Sequence, residues 1–182
     1  MATLRRGIAT LLMVLVVAIP LGVVGMYVAN PFGARSYDPR QRVLGYSPYR
    51  VTSRSMAPTV QSDQIVIVSA GYYRSHEPRR GDLVVFLHAE DGNVWIKRVI
   101  GLPGESIAIK QGVVLVDGRE LVEAYVADAN AVTDYSRQMA SSKVPQDSYL
   151  LSGDNRDNSE DARVFGATSR DELTGKVVSI LR

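Results

Sequence analysis

Residues 7 to 29 carry no charged side chain and consist mainly of Leu, Val, Ile, Ala and Met. At about 1.5 Å per helical residue, a run of this length crosses the hydrocarbon core of a bilayer. Two arginines lie within residues 1–6, so the positive-inside rule predicts a cytoplasmic N-terminus and an extracytoplasmic remainder. Arg35 and Arg40 follow the run and reduce this charge asymmetry. The sequence therefore predicts a single-pass protein of the plasma membrane.

A cleaved signal peptide is the alternative interpretation of this run. The apolar core of such a peptide is typically about 7–15 residues long, shorter than the run observed here. Cleavage after Ala29 would also place the bulky Tyr27 three positions before the cut, where a small residue is favoured. We therefore expect residues 7–29 to be retained as an anchor, followed by a linker over residues 30–45.

Composition excludes several classes of function. The 182 residues have a formal net charge of +2 and no long run of Lys or Arg, so nucleic acid is not expected as a partner. The absence of cysteine excludes a cysteine protease, a thiolate zinc site and disulfide bonds. His76 and His88 are the two histidines, and we expect both to be surface or structural residues.

Residues 46–182 carry the pattern of a mostly β domain. Short β-branched apolar runs alternate with turn residues, and Asp117-Gly118 is a strong hairpin signal. Residues 120–144 are polar and weakly patterned, and we expect a loop with short helical turns there. The predicted strands cover residues 49–52, 64–68, 81–87, 93–100, 106–109, 112–116, 149–151 and 175–181.

Ser55 is the candidate nucleophile. It lies in residues 53–59 (Ser-Arg-Ser-Met-Ala-Pro-Thr), where a strand ends and Pro58 stiffens the turn that follows. Ser53 is two residues earlier and faces the same side of an extended chain, so its hydroxyl and the Ser55 amide could together bind an oxyanion. The alternative is a serine-rich surface turn without catalytic function.

Lys97 is the candidate base, because the sequence has no suitably placed histidine. A lysine amine accepts a proton near neutral pH only when burial lowers its pKa. Strand alternation places Lys97 on one face with Trp95 and Val99, while the permanently charged Arg98 points to the other face. A lysine at the edge or rim of the sheet is the alternative.

Residues 153–163 (Gly-Asp-Asn-Arg-Asp-Asn-Ser-Glu-Asp-Ala-Arg) form a third polar segment. Its acidic residues could indicate a metal site, but the arginines between them favour a loop held together by ion pairs. We expect Asp161 to pair with Arg163, or Asp154 with Arg98, and we expect no metal ion or cofactor. The residues predicted to support the loop are Asp154, Arg156, Asp161 and Arg163.

These three segments, residues 53–59, residues 95–105 around Lys97 and residues 153–163, resemble those of the type I signal peptidases, which use a Ser-Lys dyad. The resemblance runs from about residue 53 to the C-terminus. It implies that Ser55 is the nucleophile, Lys97 the general base and Ser159 the residue that orients the lysine. It assigns the oxyanion hole to Ser53 and Ser55, and it gives Asp161 a structural role. The implied fold is a β-rich, signal-peptidase-like catalytic domain after one transmembrane helix.

The resemblance implies a membrane-bound serine endopeptidase that removes signal peptides from secretory preproteins by cutting after small residues. It also implies that the enzyme acts close to the protein export machinery. Arg54 stands where the family often has glycine, and Ala162 replaces a common serine. A specialised peptidase of the same superfamily, of the kind that matures a conjugation pilin, remains an alternative, and so does a non-catalytic membrane-anchored β scaffold.

Overall fold

A computed structural model describes residues 2–88 and 92–181. The apolar run forms one helical rod made of α1 (Ala2–Met13), a π-helical stretch (Val14–Ala18) and α2 (Ile19–Ala29). Pro20 lies in the first turn of α2 and has no amide hydrogen to donate to the preceding turn, which accounts for the wider helix just before it. The span Arg6–Ala29 is long and apolar enough to cross a membrane.

β-strands are the main regular structure after residue 45, which confirms the predicted mostly β fold. The larger sheet has seven antiparallel strands in the order β1-β2-β11-β3-β4-β9-β10. These strands are β1 (Tyr46–Arg50), β2 (Ile65–Ala70), β3 (Leu83–Leu87), β4 (Val94–Gly101), β9 (Ser148–Ser152), β10 (Thr168–Ser169) and β11 (Leu173–Leu181).

A second antiparallel sheet has the order β7-β6-β5-β8. Its strands are β5 (Ser106–Lys110), β6 (Val113–Val116), β7 (Arg119–Glu120) and β8 (Gln138–Lys143). The predicted hairpin turn at Asp117-Gly118 joins β6 to β7, and both turn residues have positive φ, as such turns require. Two short helices, α4 (Asp134–Arg137) and α5 (Ala162–Phe165), lie in the connections beside the sheets.

Apolar side chains of these strands and of the turn after β1 form three buried clusters. One contains Met56, Val60, Val66, Val68 and Val85, a second is built around Phe86, Val99 and Leu151, and a third around Ile100, Ile107 and Ile109. The first cluster lies beneath the turn that carries Ser55, and the second beneath β4. Close packing of this kind resists small displacements, so it fixes the strands that carry the candidate site residues.

Residues 30–45, predicted as a linker, contain a short helix that docks on the domain. α3 (Pro39–Leu44) begins after Asp38, whose carboxylate accepts from the Arg40 amide, and ends at Gly45 in the left-handed conformation. Gln41 is buried and donates to the hydroxyls of Ser47 and Tyr49 in β1. The segment that follows the apolar helix is therefore held against the β domain.

Candidate active site

Ser55 lies in a tight turn shortly after β1. The Ala57 amide donates to the carbonyl of Arg54 (3.1 Å), and the Val60 amide donates to that of Met56 (2.9 Å). Met56 and Val60 are almost fully buried and anchor the turn in the core. This anchoring holds the Ser55 side chain toward the interior, where it is 7% exposed.

Lys97 reaches this serine from β4. Its Nζ lies 3.0 Å from Ser55 Oγ, and the residue is only 3% exposed. β4 has β3 on one side and β9 on the other, so Lys97 is not on an edge strand. The pairing with β9 begins at Arg98, opposite Ser152, and the chain after β9 therefore leaves the sheet beside Lys97.

Burial lowers the pKa of Lys97 from 10.5 to about 8, because a dry surrounding disfavours the charged ammonium. The carboxylates of Asp161 and Glu160 act in the opposite direction without reversing the shift. The ring of Trp95, with its centroid 5.1 Å from Nζ, also favours the charged form. A pKa near 8 leaves a usable fraction of neutral amine under physiological conditions, as a general base requires.

The two candidate oxyanion donors are adjacent. The Ser55 amide donates to Ser53 Oγ at 3.1 Å, and Ser53 is itself exposed. The Ser53 hydroxyl oxygen thus accepts from the amide that would donate to an oxyanion. Rotation of the Ser53 hydroxyl would aim both donors at a substrate oxygen. Arg54 is exposed to solvent between the two serines.

The loop after β9 packs directly on the Ser55 turn. The Asn155 amide donates to the carbonyl of Ser55 (3.0 Å). A Cβ at Gly153 would lie 2.5 Å from that same carbonyl oxygen and 2.2 Å from the hydroxyl of Ser159. Only glycine permits this approach, which makes Gly153 a site residue that the sequence analysis did not single out. Its position at the start of the 153–163 motif is the signal that could have identified it.

Both ion pairs predicted for the loop are present. Arg98 binds Asp154 through two hydrogen bonds, of 2.8 and 2.6 Å, and Thr59 donates to the same carboxylate. Asp154 is fully buried, so this bidentate pair compensates its charge and ties β4 to the loop.

Asp161 organises the second half of the loop. Arg163 donates to both of its carboxylate oxygens, and the Ser152 hydroxyl and the Gly153 amide donate to it as well. Burial acts to raise the pKa of Asp161, but the hydrogen bonds and charge of Arg163 outweigh it, so the pKa lies below its ordinary value. The carboxylate is therefore held ionised and links the start of the loop to its end.

Arg156, also predicted as a supporting residue, forms its ion pair with a residue outside the 153–163 segment. It is almost fully buried and binds Glu123 with two hydrogen bonds of 3.0 and 2.6 Å, while its Nε donates to the carbonyl of Gly153. Glu123 comes from the polar excursion at residues 120–144, where the sequence offers no pattern that singles it out. Residues 120–144 thus help to hold the loop of residues 153–163, which contacts Ser55, in place.

Ser159 lies close to the dyad without a described hydrogen bond to Lys97. Its hydroxyl is buried and donates to the carbonyl of Glu160 at 3.5 Å. Its own carbonyl accepts from the hydroxyl of Tyr135 (2.8 Å) and from Arg163 (3.2 Å). The lysine-orienting role of Ser159 stays a prediction.

A groove of about 610 Å³ runs past the dyad. Ser53, Ser55 and Lys97 line its floor, with Met56 and Val85 among the apolar residues of its wall. Met56, from the turn that carries Ser55, and Val85, from β3, therefore both face the groove. β1 and β4 supply the two sides of the groove, so an extended peptide fits its shape.

The family model for signal peptidases, peptidase S26, matches residues 7–181 of this chain. The chain belongs to this family. Three relatives have been described as signal peptidase I or probable signal peptidase I-2. The one from Leptolyngbya laminosa is 37% identical over 85% of this chain and 74% of its own length. The one from Synechocystis is 39% identical over 69% of this chain and 58% of its own length.

The third relative, from Bacillus caldolyticus, is 35% identical over 75% of this chain and 79% of its own length. A crystal structure of a signal peptidase I from Enterococcus faecalis aligns with 57% of this chain and 98% of its own, at 29% identity and a TM-score of 0.49. The predicted family and the predicted class of enzyme, a serine peptidase that removes signal peptides, are confirmed by the family match and these relatives.

Proposed function

We propose that Ser55 and Lys97 form the catalytic dyad of this signal peptidase. The observation that carries the proposal is the 3.0 Å contact between Lys97 Nζ and Ser55 Oγ on the floor of a groove wide enough for an extended peptide. Neutral Lys97 accepts the hydroxyl proton as Ser55 Oγ attacks the scissile carbonyl carbon. The resulting ammonium then donates that proton to the leaving amine.

Ser53 and the Ser55 amide stabilise the negative charge that develops on the carbonyl oxygen. The two groups already form a hydrogen bond with each other, so a small hydroxyl rotation completes the oxyanion hole. Water then attacks the acyl-enzyme ester, with Lys97 again as base. Asp154, Arg156, Asp161 and Arg163 act indirectly by holding the loop that contacts Ser55.

The chain acts, in this proposal, at the plasma membrane on secretory preproteins. Residues 7–29, within the apolar span Arg6–Ala29, anchor it, and residues 1–6 lie in the cytoplasm. Residues 30–45 link the anchor to residues 46–182, which form the extracytoplasmic peptidase domain near the export machinery. A cleavage site just outside the membrane would then meet the groove of an enzyme fixed to the same surface. Small side chains before the cut suit the apolar wall at Met56 and Val85.

Cleavage of a synthetic preprotein by the full chain in detergent tests the dyad. Ser55→Ala and Lys97→Ala should each abolish turnover while circular dichroism and the unfolding midpoint show an intact fold. Lys110→Ala, which removes an exposed lysine of β5, serves as the matched control and should retain activity. Substantial cleavage by Ser55→Ala would refute Ser55 as the nucleophile.

A further inference from the structure

A small pocket surrounded by three arginines lies beside the end of the apolar helix. Arg35, Arg74 and Arg170 line it together with Gly33 and Gly71, and its volume is about 40 Å³. One water molecule needs roughly 10–15 Å³ of such space, so the pocket admits a compact group of several atoms and no peptide. Guanidinium groups around a space of this size suit the oxygens of a phosphate.

Two of the three arginines form ion pairs with carboxylates that are largely exposed to solvent. Arg35 pairs with Asp171 at 2.9 Å and Arg170 with Glu77 at 2.8 Å, and the two carboxylate side chains are 90% and 69% exposed. Ion pairs this exposed contribute little to stability, so either arginine can exchange its carboxylate for a phosphate oxygen. Arg170 also donates to the carbonyl of Tyr73 at 3.0 Å, which fixes its position at the pocket.

Arg74 adds a positive charge that no carboxylate of the described residues compensates. Among residues 2–88 and 92–181 it has no carboxylate within ion-pair distance. Its side chain lies across the backbone of Gly33, where a Cβ would be 2.0 Å from the guanidinium nitrogen Nη1. Three guanidinium groups and two carboxylates therefore leave the pocket with a net positive charge.

The chain geometry keeps this pocket level with the end of the apolar helix. Asn30 ends α2 in the left-handed conformation, and its side chain exchanges two hydrogen bonds with the backbone of Ala34, at 2.9 and 2.8 Å. The Gly33 amide closes the same turn on the carbonyl of Asn30. Residues 30–34 thus fold back at the end of α2, and this turn keeps Gly33 next to the last turn of the apolar helix.

An aromatic and cationic cluster at the same end fixes the helix against the domain. The Arg42 guanidinium lies over the rings of Tyr27 and Tyr37, at 5.1 and 4.7 Å from their centroids, and the Tyr27 hydroxyl donates to the carbonyl of Tyr37. Tyrosine and arginine side chains favour the headgroup level of a bilayer. This cluster therefore places the pocket at the depth of lipid phosphates.

We propose that the pocket of Arg35, Arg74 and Arg170 binds the phosphate of an anionic phospholipid headgroup. The inference rests on the membrane anchoring in the proposed function, and it is independent of the catalytic dyad. An anionic headgroup matches the net charge of the pocket, whereas the ammonium of a zwitterionic headgroup adds an unfavourable positive charge. A bound lipid would hold the β domain, and with it the groove, at a fixed height above the bilayer.

Native mass spectrometry of the full chain, released from detergent micelles with added phosphatidylglycerol or phosphatidylcholine, tests the proposal. We expect phosphatidylglycerol to be retained preferentially. Arg74→Gln should lower its occupancy about fivefold, the effect of one arginine near an anionic lipid. Arg119→Gln, which removes an exposed arginine of β7, is the charge-matched control and should leave occupancy unchanged. An unaltered unfolding midpoint of Arg74→Gln shows that the fold is intact.

Ser55→Ala should bind phosphatidylglycerol as the wild type does, so failure of the proposed dyad and failure of the lipid site give different results. Equal retention of the two lipids, or equal loss of phosphatidylglycerol in Arg74→Gln and Arg119→Gln, would overturn the proposal. A third arm adds inorganic phosphate alone. Full displacement of phosphatidylglycerol by millimolar phosphate would make this a site for free phosphate and would also overturn it.

Discussion

Replacing Lys97 with methionine should stabilise the folded protein at neutral pH. Methionine has a similar length and no charge, so it fills the same space beside Ser55 and Trp95. The native lysine is buried with a pKa of about 8, against 10.5 for the exposed side chain. Each pKa unit corresponds to about 1.4 kcal/mol, so carrying the proton in the folded state costs about 3 kcal/mol.

The sign of the pH dependence follows from the direction of this shift. Between about pH 8 and pH 10.5 the unfolded chain binds the Lys97 proton and the folded chain does not, so raising the pH in this window stabilises the wild type. Below pH 8 the wild type bears the full cost. The stability advantage of Lys97→Met should therefore be about 3 kcal/mol at pH 6 to 7 and should shrink toward pH 10.5.

Urea unfolding of the full chain in micelles, followed by the fluorescence of Trp95, measures this difference, because Trp95 is the only tryptophan. Comparing variant and wild type at each pH removes the contribution of every group that both proteins share. Lys110→Met, at an exposed lysine of β5, should show a difference that does not change with pH. A constant difference for Lys97→Met from pH 6 to 10.5, or destabilisation at pH 7, would show that Lys97 is not protonated at a cost in the folded protein.

Four further predictions concern the dyad and its support. The value of kcat/KM should rise with pH with an apparent pKa of about 8, as Lys97 loses its proton, and a profile that is flat from pH 5 to 9 would contradict a lysine base. Ser53→Ala should lower kcat about a hundredfold with little change in KM, measured with a synthetic preprotein, while Ser53→Thr should retain most activity. Gly153→Ala should lower the free energy of unfolding in urea by about 2 kcal/mol and abolish cleavage, because the new Cβ would lie 2.5 Å from the Ser55 carbonyl oxygen. Wild-type activity of this variant would show that the loop is not tightly packed on the nucleophile. Arg98→Met should lower the free energy of unfolding by about 3–5 kcal/mol, because it leaves the buried carboxylate of Asp154 without its arginine. Adding Asp154→Asn should restore part of this free energy. If it restores none, lost packing accounts for the effect.

The sequence predicted the parts of the fold whose pattern is local. Runs such as residues 64–68 and 93–100 have apolar β-branched residues bounded by turns, and the structure has β2 and β4 there. β8 was missed because Gln138–Lys143 is polar and largely exposed. This strand is held mainly by backbone pairing with β5, which leaves no apolar alternation in the sequence.

The helix α3 was missed although its signals are present in the sequence. Asp38 caps it, Pro39 occupies its first position and Gly45 ends it, an arrangement typical of a short helix. The prediction of a linker over residues 30–45 did not use these signals. Its docking depends on Gln41, whose partners are two side chains of β1, and such tertiary contacts cannot be read from a local pattern.

The site was predictable where motif and strand alternation agree. Lys97 and Ser55 are 42 residues apart in sequence. Alternation on β4 indicated the face of Lys97, but the pairing of the two residues was implied only by the resemblance to the type I signal peptidases. The partner of Arg156 could not be predicted, because Glu123 lies in a polar excursion without periodicity. The role of Gly153 depends on a three-dimensional approach between two loops, which composition does not encode.

Catalysis at Ser55 depends on a lowered pKa of Lys97, which leaves a usable fraction of its amine uncharged near neutral pH, within reach of the hydroxyl. An NMR titration of the full chain labelled with ¹³C at lysine Cε measures this directly, with the Lys97 signal assigned by its absence in Lys97→Met. We expect a midpoint of about 8 for Lys97. A midpoint at or above 10.5 would contradict it, because the amine would then be protonated at every pH at which the enzyme works.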